Sequence, residues 1–109
     1  MTTNSNPIYV IGSINTDMVA MTEVLPLPGE TVMGGEFMMT AGGKGANQAV
    51  AAARMGGDVT MIGRLGNDVF AEQSIKRLIN ENINCEFITK DNEKASGVAL
   101  ISVDKNGEN

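Results

Sequence analysis

The order of apolar segments along the middle of the chain predicts an α/β fold built on a parallel sheet. A continuous apolar run at residues 8–11 is typical of a buried strand, two further buried strands are predicted at residues 59–62 and 85–88, and helical patterns occupy residues 46–55 and 68–82. A strand–helix–strand–helix–strand order requires parallel strands with right-handed crossovers, and hence a sheet covered by helices on both faces. The flanking segments do not follow this alternation, so we predict that they form a separate small β layer.

The strands of this layer are predicted from shorter patterns. Residues 18–24 form an extended segment, and the two prolines behind it exclude regular structure because proline donates no backbone hydrogen bond. Residues 31–40 resume a strand pattern, with a turn or bulge at the glycine pair 34–35. Residues 97–103 form the last predicted strand.

Both helices carry boundary signals. Alanine and valine recur with helical spacing over residues 46–55, and the glycine pair 56–57 is expected to end this helix with one residue in the left-handed conformation. Residues 63–67 are predicted to be a connection, and Asp68 is predicted to be the N-cap of the second helix. The second helix is expected to bury Phe70, Ala71, Ile75, Leu78 and Ile79.

Composition excludes several classes of function. The chain has 109 residues, 42% of them hydrophobic, a net charge of -5 and no histidine. The negative charge disfavours nucleic acid and anionic membranes as partners. The lack of histidine excludes a zinc site of the usual type and a Ser-His-Asp or Cys-His nucleophile. Cys85 is the only cysteine, which favours a reducing, cytoplasmic setting, and the N-terminus lacks the pattern of a signal peptide.

A glycine-rich loop at residues 42–45 leads into the first helix and predicts a ligand site. It leaves the first helical N–H groups without partners beside a lysine, which suits a ligand rich in oxygen. A P-loop is excluded because Gly45 follows Lys44 where serine or threonine is required. A dinucleotide fingerprint is disfavoured because Gln48 replaces its third glycine. The alternative is a tight turn without a ligand, but three glycines exceed what such a turn needs.

A second cluster, residues 12–17, follows the first strand and contains the polar residues Asn15 and Asp17. Ligands of open α/β sheets bind at the carboxyl ends of strands, and an ionised Asp17 only accepts hydrogen bonds, which suits the paired hydroxyls of a polyol or sugar. The alternative is an Asx-turn, in which Asn15 and Asp17 bond to their own backbone. Lys44 complements Asp17 in charge, which favours the ligand interpretation.

Methionine is concentrated in the predicted β layer. These residues either fill a thin core or form an apolar face that meets another subunit, and we favour the second reading because a thin layer cannot bury both of its faces. They are Met18, Met21, Met33, Met38 and Met39.

The two clusters, in this order, resemble the N-terminal third of the ribokinase/fructokinase (PfkB-like) carbohydrate kinase family. The matching segments are VIGSINTDMV at 10–19, LPLPGETV at 25–32, GGKGANQAVAAARMG at 42–56, IGRLGND at 62–68 and SGVALISVD at 96–104. The resemblance implies one carbohydrate kinase domain, of which residues 1–109 are the N-terminal part. Its three-layer, Rossmann-like core would be incomplete here and occupy residues 7–14 and 42–91. A β-sheet lid over the sugar would occupy about 15–41 and 95–109, and would also form a homodimer contact.

The resemblance also implies an activity and a set of substrate-binding residues. The activity is ATP-dependent phosphorylation of D-ribose to ribose 5-phosphate, with Mg²⁺ and a monovalent cation such as K⁺ used by the full-length enzyme. The implied substrate-binding residues are Asn15, Thr16, Asp17, Gly43, Lys44, Gly45, Ala46 and Asn47. Alternatives are another sugar or nucleoside kinase of this family, or a non-catalytic module for sugar binding or lid dimerisation.

The family's catalytic aspartate lies in a Gly-Ala-Gly-Asp motif that no segment of this chain matches. We therefore assign no catalytic residue or metal ligand, and we expect residues 1–109 alone to be inactive and to bind none of the cofactors. The hairpin signal at Asn106-Gly107 has no strand pattern behind it, which indicates a longer protein that continues beyond Asn109.

Overall fold

The computed structural model of the protein describes residues 6–109, which form two three-stranded sheets and two helices. Strands β1, β4 and β5 make a parallel sheet, here called the core sheet, and β3, β2 and β6 make the second sheet. The elements are β1 (Pro7–Ile11), β2 (Asn15–Met21), β3 (Glu36–Gly42), α1 (Lys44–Arg54), β4 (Asp58–Gly66), α2 (Val69–Asn80), β5 (Asn84–Asp91) and β6 (Gly97–Val103).

The core sheet confirms the predicted α/β class as a parallel sheet with helices. Strand β4 is central and pairs in parallel with both β1 and β5. Its buried Val59 and Met61 pack in one hydrophobic cluster with Ala49 of α1 and Leu78 of α2. Both helices therefore lie on the same face of this sheet, so the expectation of helices on both faces is wrong for the described residues, which form an incomplete core.

The opposite face of the core sheet is open. Ile11 pairs with Ile62, which pairs with Phe87, so the three side chains share that face. Ile11 is 78% exposed and Phe87 is 50% exposed. The expectation that β1 is a buried strand is therefore wrong for these residues, because β1 is an edge strand with one apolar face uncovered.

The second sheet begins earlier in the chain than predicted. Strand β2 starts at Asn15 rather than at residue 18, because it pairs along its whole length with β3 on one side and β6 on the other. Pairing on both sides overrides the turn preference of asparagine and aspartate. Strand β3 starts at Glu36, directly after the glycine pair at 34–35 that was predicted to interrupt it.

Helix boundaries follow the predicted signals closely. Asp68 is the N-cap of α2, and its side chain accepts a hydrogen bond from the Ala71 amide. Gly56, directly after the C-cap of α1, has φ 95°, as expected for the residue that ends this helix. Burial in α2 differs in part, since Ile79 is exposed and Ser74 is buried instead.

Strand β4 is longer than predicted. Residues 63–66, expected to belong to a connection, continue the strand because they pair with residues 88–91 of β5. The predicted turn at Asn106-Gly107 is formed, with the Gly107 amide donating to the Asp104 carbonyl at 3.0 Å.

Across residues 6–109, no helix is both long enough and apolar enough to span a membrane. The expectation about the signal peptide also rests on residues 1–5, which lie outside the described part of the chain.

Candidate substrate-binding site

The candidate site lies where the core sheet and the second sheet meet. An open cleft of about 640 Å³ lies at this junction. It is lined by Ser13, Ile14, Asn15, Gly43, Lys44, Arg64 and Gly97. The cleft thus brings together residues from both of the polar clusters that the sequence singles out, the one after β1 and the one before α1.

The glycines before α1 allow two backbone segments to lie unusually close together. Gly43 has φ 97°, and a β carbon placed there would lie 2.6 Å from the Ser13 carbonyl oxygen. A β carbon on Gly45 would lie 2.7 Å from the backbone of Gly12. Both distances are shorter than real contacts allow, so part of the glycine content that sequence reasoning attributed to a ligand is required by chain packing.

The first turn of α1 leaves two backbone N–H groups without hydrogen-bond partners. Gly43 has no side chain to cap the helix, and the first turn carries no acidic residue. The Ala46 amide donates to the Ser13 carbonyl at 2.9 Å, whereas the amides of Lys44 and Gly45 have no partner among the described residues. Such a helix end attracts negative charge and hydrogen-bond acceptors.

Asn15 and Asp17 project from the same face of β2 and are bonded to each other. Asn15 Nδ2 donates to Asp17 Oδ1 at 2.9 Å. The two side chains lie over glycines of the neighbouring strands. A β carbon on Gly42 would lie 2.8 Å from Asp17 Oδ1, and one on Gly97 would lie 2.7 Å from Asn15 Oδ1. The Asx-turn alternative is therefore wrong, because both residues belong to a paired strand.

Asp17 and Gly45 adjoin lining residues without lining the cleft themselves, and three other predicted residues occupy different surroundings. Thr16 is buried and lies on the opposite face of β2 from Asn15 and Asp17. The Ala46 methyl group is part of the hydrophobic core. Asn47 is exposed, but it lines a separate cavity of about 20 Å³ together with Gly42 and not the cleft.

Arg64 and Gly97 are site residues that sequence reasoning missed. Arg64, which lies in a segment expected to be a connection, donates from Nε to Asp91 Oδ2 at 3.1 Å and from Nη1 to Thr89 Oγ1 at 3.0 Å. These bonds hold a second cation beside Lys44 in the cleft. Backbone amides of Glu93 and Lys94, followed by Arg64, lower the pKa of the Asp91 carboxyl group. A signal for Gly97 was available, since an isolated glycine at a strand often marks close approach by another group.

Metal ligands of the usual kind are not gathered in this part of the molecule. Among residues 6–109, no three side chains of His, Cys, Asp or Glu lie close enough to hold a metal ion. We assign no step of the chemistry to a metal ion held by these residues.

Comparisons with known proteins match this architecture to sugar kinases. Residues 5–109 match the family described as pfkB family carbohydrate kinase. Ribokinase from Mus musculus is 42% identical over 94% of this chain, and deoxyribokinase from Salmonella typhi is 42% identical over 94%. The structure of Arabidopsis thaliana ribokinase complexed with ribose and ATP is 30% identical over 95% of this chain, with a TM-score of 0.86.

The residues around the cleft combine the glycine-rich N-terminus of a helix in a parallel α/β unit with an amide and a carboxylate on the joined sheet. Since the family match covers nearly the whole chain, the chain belongs to the pfkB family of carbohydrate kinases. It spans about a third of the length of the curated relatives it matches, 32% of the mouse ribokinase and 33% of the Salmonella typhi deoxyribokinase. It corresponds to their N-terminal portion.

Proposed function

We propose that the whole natural protein containing these residues is a ribokinase, which phosphorylates D-ribose with ATP to form ribose 5-phosphate. In this proposal the present chain supplies the sugar-binding residues and the lid. The observation that carries it is the bonded Asn15–Asp17 pair, at 2.9 Å, on a strand that adjoins the cleft at the N-terminus of α1. The family and the ribokinase relatives support it.

The proposed chemistry of this chain is orientation of a neutral polyol. The Asp17 carboxylate accepts hydrogen bonds from sugar hydroxyls, and the Asn15 bond to its Oδ1 holds the carboxylate in place. The unpaired amides of Lys44 and Gly45 and the Lys44 ammonium group donate to sugar oxygens from the other side of the cleft. Phosphoryl transfer depends largely on such positioning, which raises the effective concentration of the attacking hydroxyl.

The cofactors belong to the proposal as well. ATP would supply the transferred phosphoryl group, and the related Arabidopsis thaliana ribokinase forms a complex with both ribose and ATP. Mg²⁺ and a monovalent cation such as K⁺ would be bound by residues other than those described here. We also infer a cytoplasmic location, because Cys85 is a free thiol.

A second candidate substrate is 2-deoxyribose, because a deoxyribokinase is as similar to this chain as a ribokinase is, at 42% identity in each case. The two sugars differ by one hydroxyl group. A site built to bond that hydroxyl discriminates strongly against the sugar that lacks it, because its polar groups are then left unpaired.

The proposed function is tested by sugar-dependent ADP formation by the whole natural protein. We expect ribose to give the highest kcat/KM among ribose, 2-deoxyribose, fructose and adenosine. A preference for 2-deoxyribose would select the second candidate, and a preference for fructose or adenosine would select another kinase of the family. Sugar binding in calorimetry without ADP formation would contradict the enzymatic proposal and favour a non-catalytic module.

The second sheet is proposed to be the lid and a homodimer contact. Met18 pairs with Met39 and Leu100, and Ala20 pairs with Phe37, so these side chains share the sheet face opposite to Asp17. Leu100 is 81% exposed and Phe37 is 64% exposed. An apolar face of this kind is typical of an interface with another protein surface.

We expect the whole natural protein to sediment as a dimer and the Leu100→Asp variant to sediment as a monomer at micromolar concentration, because a carboxylate would be buried without a partner. Leu27→Asp is the control, since Leu27 is similarly exposed but lies outside both sheets. A Leu100→Asp variant that remains dimeric would rule out this face as the interface.

A further inference from the structure

One carboxylate connects three elements beside the candidate site. Asp68 Oδ1 accepts from the Ala71 amide at 3.0 Å and from the Ser96 hydroxyl at 2.7 Å, and Asp68 Oδ2 accepts from the Ser96 amide at 2.9 Å. The Ser96 hydroxyl in turn accepts from the Gly66 amide at 2.9 Å. The N-terminus of α2 and the end of β4 are thus tied to the residue that precedes β6.

These contacts exceed what a helix cap requires. Capping of α2 accounts for the bond from Ala71, but not for the two bonds that Ser96 donates to the same carboxylate. Ser96 is buried, and a β carbon on Gly66 would lie 2.5 Å from its amide nitrogen, so Gly66 leaves room for the arrangement. Ser96, ahead of the Ala71 amide, is the main cause of the lowered pKa of Asp68.

The arrangement acts on the site through the next residue along the chain. Gly97 follows Ser96 directly and pairs with Asn15, and from this pair onward β6 runs parallel to β2. The Asn15 carboxamide rests over Gly97, with Oδ1 2.7 Å from the position of a β carbon there. The position of Ser96 therefore fixes Gly97, against which the Asn15 side chain packs. Asn15 in turn donates a hydrogen bond to Asp17.

We propose that Asp68 and Ser96 form a clasp that fixes the start of β6 and thereby positions Asn15 and Asp17 for the sugar. Both are positioning residues, since they act on the site only through Gly97 and Asn15. This inference rests on the function proposed above. It adds two residues that support sugar specificity without contacting the sugar.

The variants Asp68→Asn and Ser96→Ala test the clasp in the whole natural protein. Asparagine remains a good N-cap for α2, but its amide nitrogen cannot accept a bond from Ser96. We expect the KM for ribose to rise about tenfold in Asp68→Asn, which is the scale of a lost bond to a charged group, while kcat and the KM for ATP change less than about twofold.

Asp104→Asn is the matched control. Asp104 also accepts two backbone amides, from Asn106 at 2.9 Å and Glu108 at 3.0 Å, but in a turn beyond β6. We expect its kinetic constants to equal those of the unmodified protein. An unchanged KM for ribose in Asp68→Asn would overturn the clasp. A fall in kcat together with a rise in the KM values for both ribose and ATP would also overturn it, because a purely structural role would produce that result.

The energetic coupling between two substitutions gives a further readout. Gly97→Ala should raise the KM for ribose by displacing Asn15, and combining it with Asp68→Asn should raise the KM by less than the product of the two separate factors. Simple multiplication of the factors would overturn the proposed route through Asn15.

Amide exchange separates failure of the clasp from failure of the proposed function. We expect Asp68→Asn to accelerate exchange in β6 but not in β5. Unchanged exchange in β6 would overturn the clasp whatever the activity. If the unmodified protein phosphorylated no sugar, the proposed function would fail, and accelerated exchange in β6 would still support the clasp as a feature of the fold.

Discussion

Replacing Asp17 by alanine in the whole natural protein is expected to lower kcat/KM for ribose on the order of 10²- to 10³-fold. The variant removes the only carboxylate of the Asn15–Asp17 pair, and each lost hydrogen bond between a charged group and a hydroxyl costs about 1.5–3 kcal/mol. The loss is expected in both KM and kcat, because the sugar would bind more weakly and its attacking hydroxyl would be less well oriented. Steady-state kinetics with ribose varied at saturating ATP measures both terms.

Glu36→Ala is the matched control for Asp17→Ala. Glu36 is another carboxylate on the same face of the second sheet, since it pairs with Met21 at the end of β2 away from the cleft. We expect Glu36→Ala to retain the kinetics of the unmodified protein. Retention of normal ribose kinetics by Asp17→Ala would instead show that the carboxylate has no role in sugar binding.

Replacing Gly43 by alanine is expected to destabilise the protein by about 2–5 kcal/mol and to abolish the cleft as a binding site. The left-handed backbone alone costs about 1–2 kcal/mol for alanine, and overpacking adds about 1–3 kcal/mol. The overpacking arises because the new β carbon would lie 2.6 Å from the Ser13 carbonyl oxygen and 2.9 Å from the Asn15 amide nitrogen. Relief of these overlaps must move either α1 or the start of β2, which carries Asn15 and Asp17.

The variant Gly56→Ala separates the backbone contribution from the overpacking contribution. Gly56 has a similar positive φ, 95° against 97° for Gly43, but a β carbon there would have no neighbour within 4 Å. We expect Gly56→Ala to cost only the backbone term, about 1–2 kcal/mol, and to leave the KM for ribose unchanged. Urea denaturation measures both variants, and equal losses would mean that Gly43 is required for its backbone conformation alone.

Local signals in the sequence predicted most of the regular structure. The alternation of apolar runs and helical patterns indicated the parallel core sheet, Asp68 indicated the start of α2, and the glycines at 56–57 indicated the end of α1. These signals were reliable because each depends on residues within one or two turns of each other. A capping side chain or a left-handed glycine acts on its own helix end, whatever packs around it.

Features that depend on which segments become neighbours were predicted poorly. The strand pattern of β1 did not reveal an edge position, and residues 15–17 were left outside the predicted strands although they pair on both sides. The ion pair of Arg64 with Asp91 joins residues 27 positions apart, so no local pattern could indicate it.

For the site, the sequence by itself determined the chemistry, namely a carboxylate, an amide and a lysine beside a glycine-rich helix N-terminus. The tertiary structure alone decided how the groups are arranged. It places Asn15, Lys44 and Gly97 in one cleft, and turns Thr16 to the other face of β2. The physical reason is that residue type fixes what a group can donate or accept, whereas the distances between groups arise only when β1, β2, β6 and α1 pack together. The glycines illustrate both points. Their number is read from the sequence, whereas the close contacts that require them exist only in the folded chain.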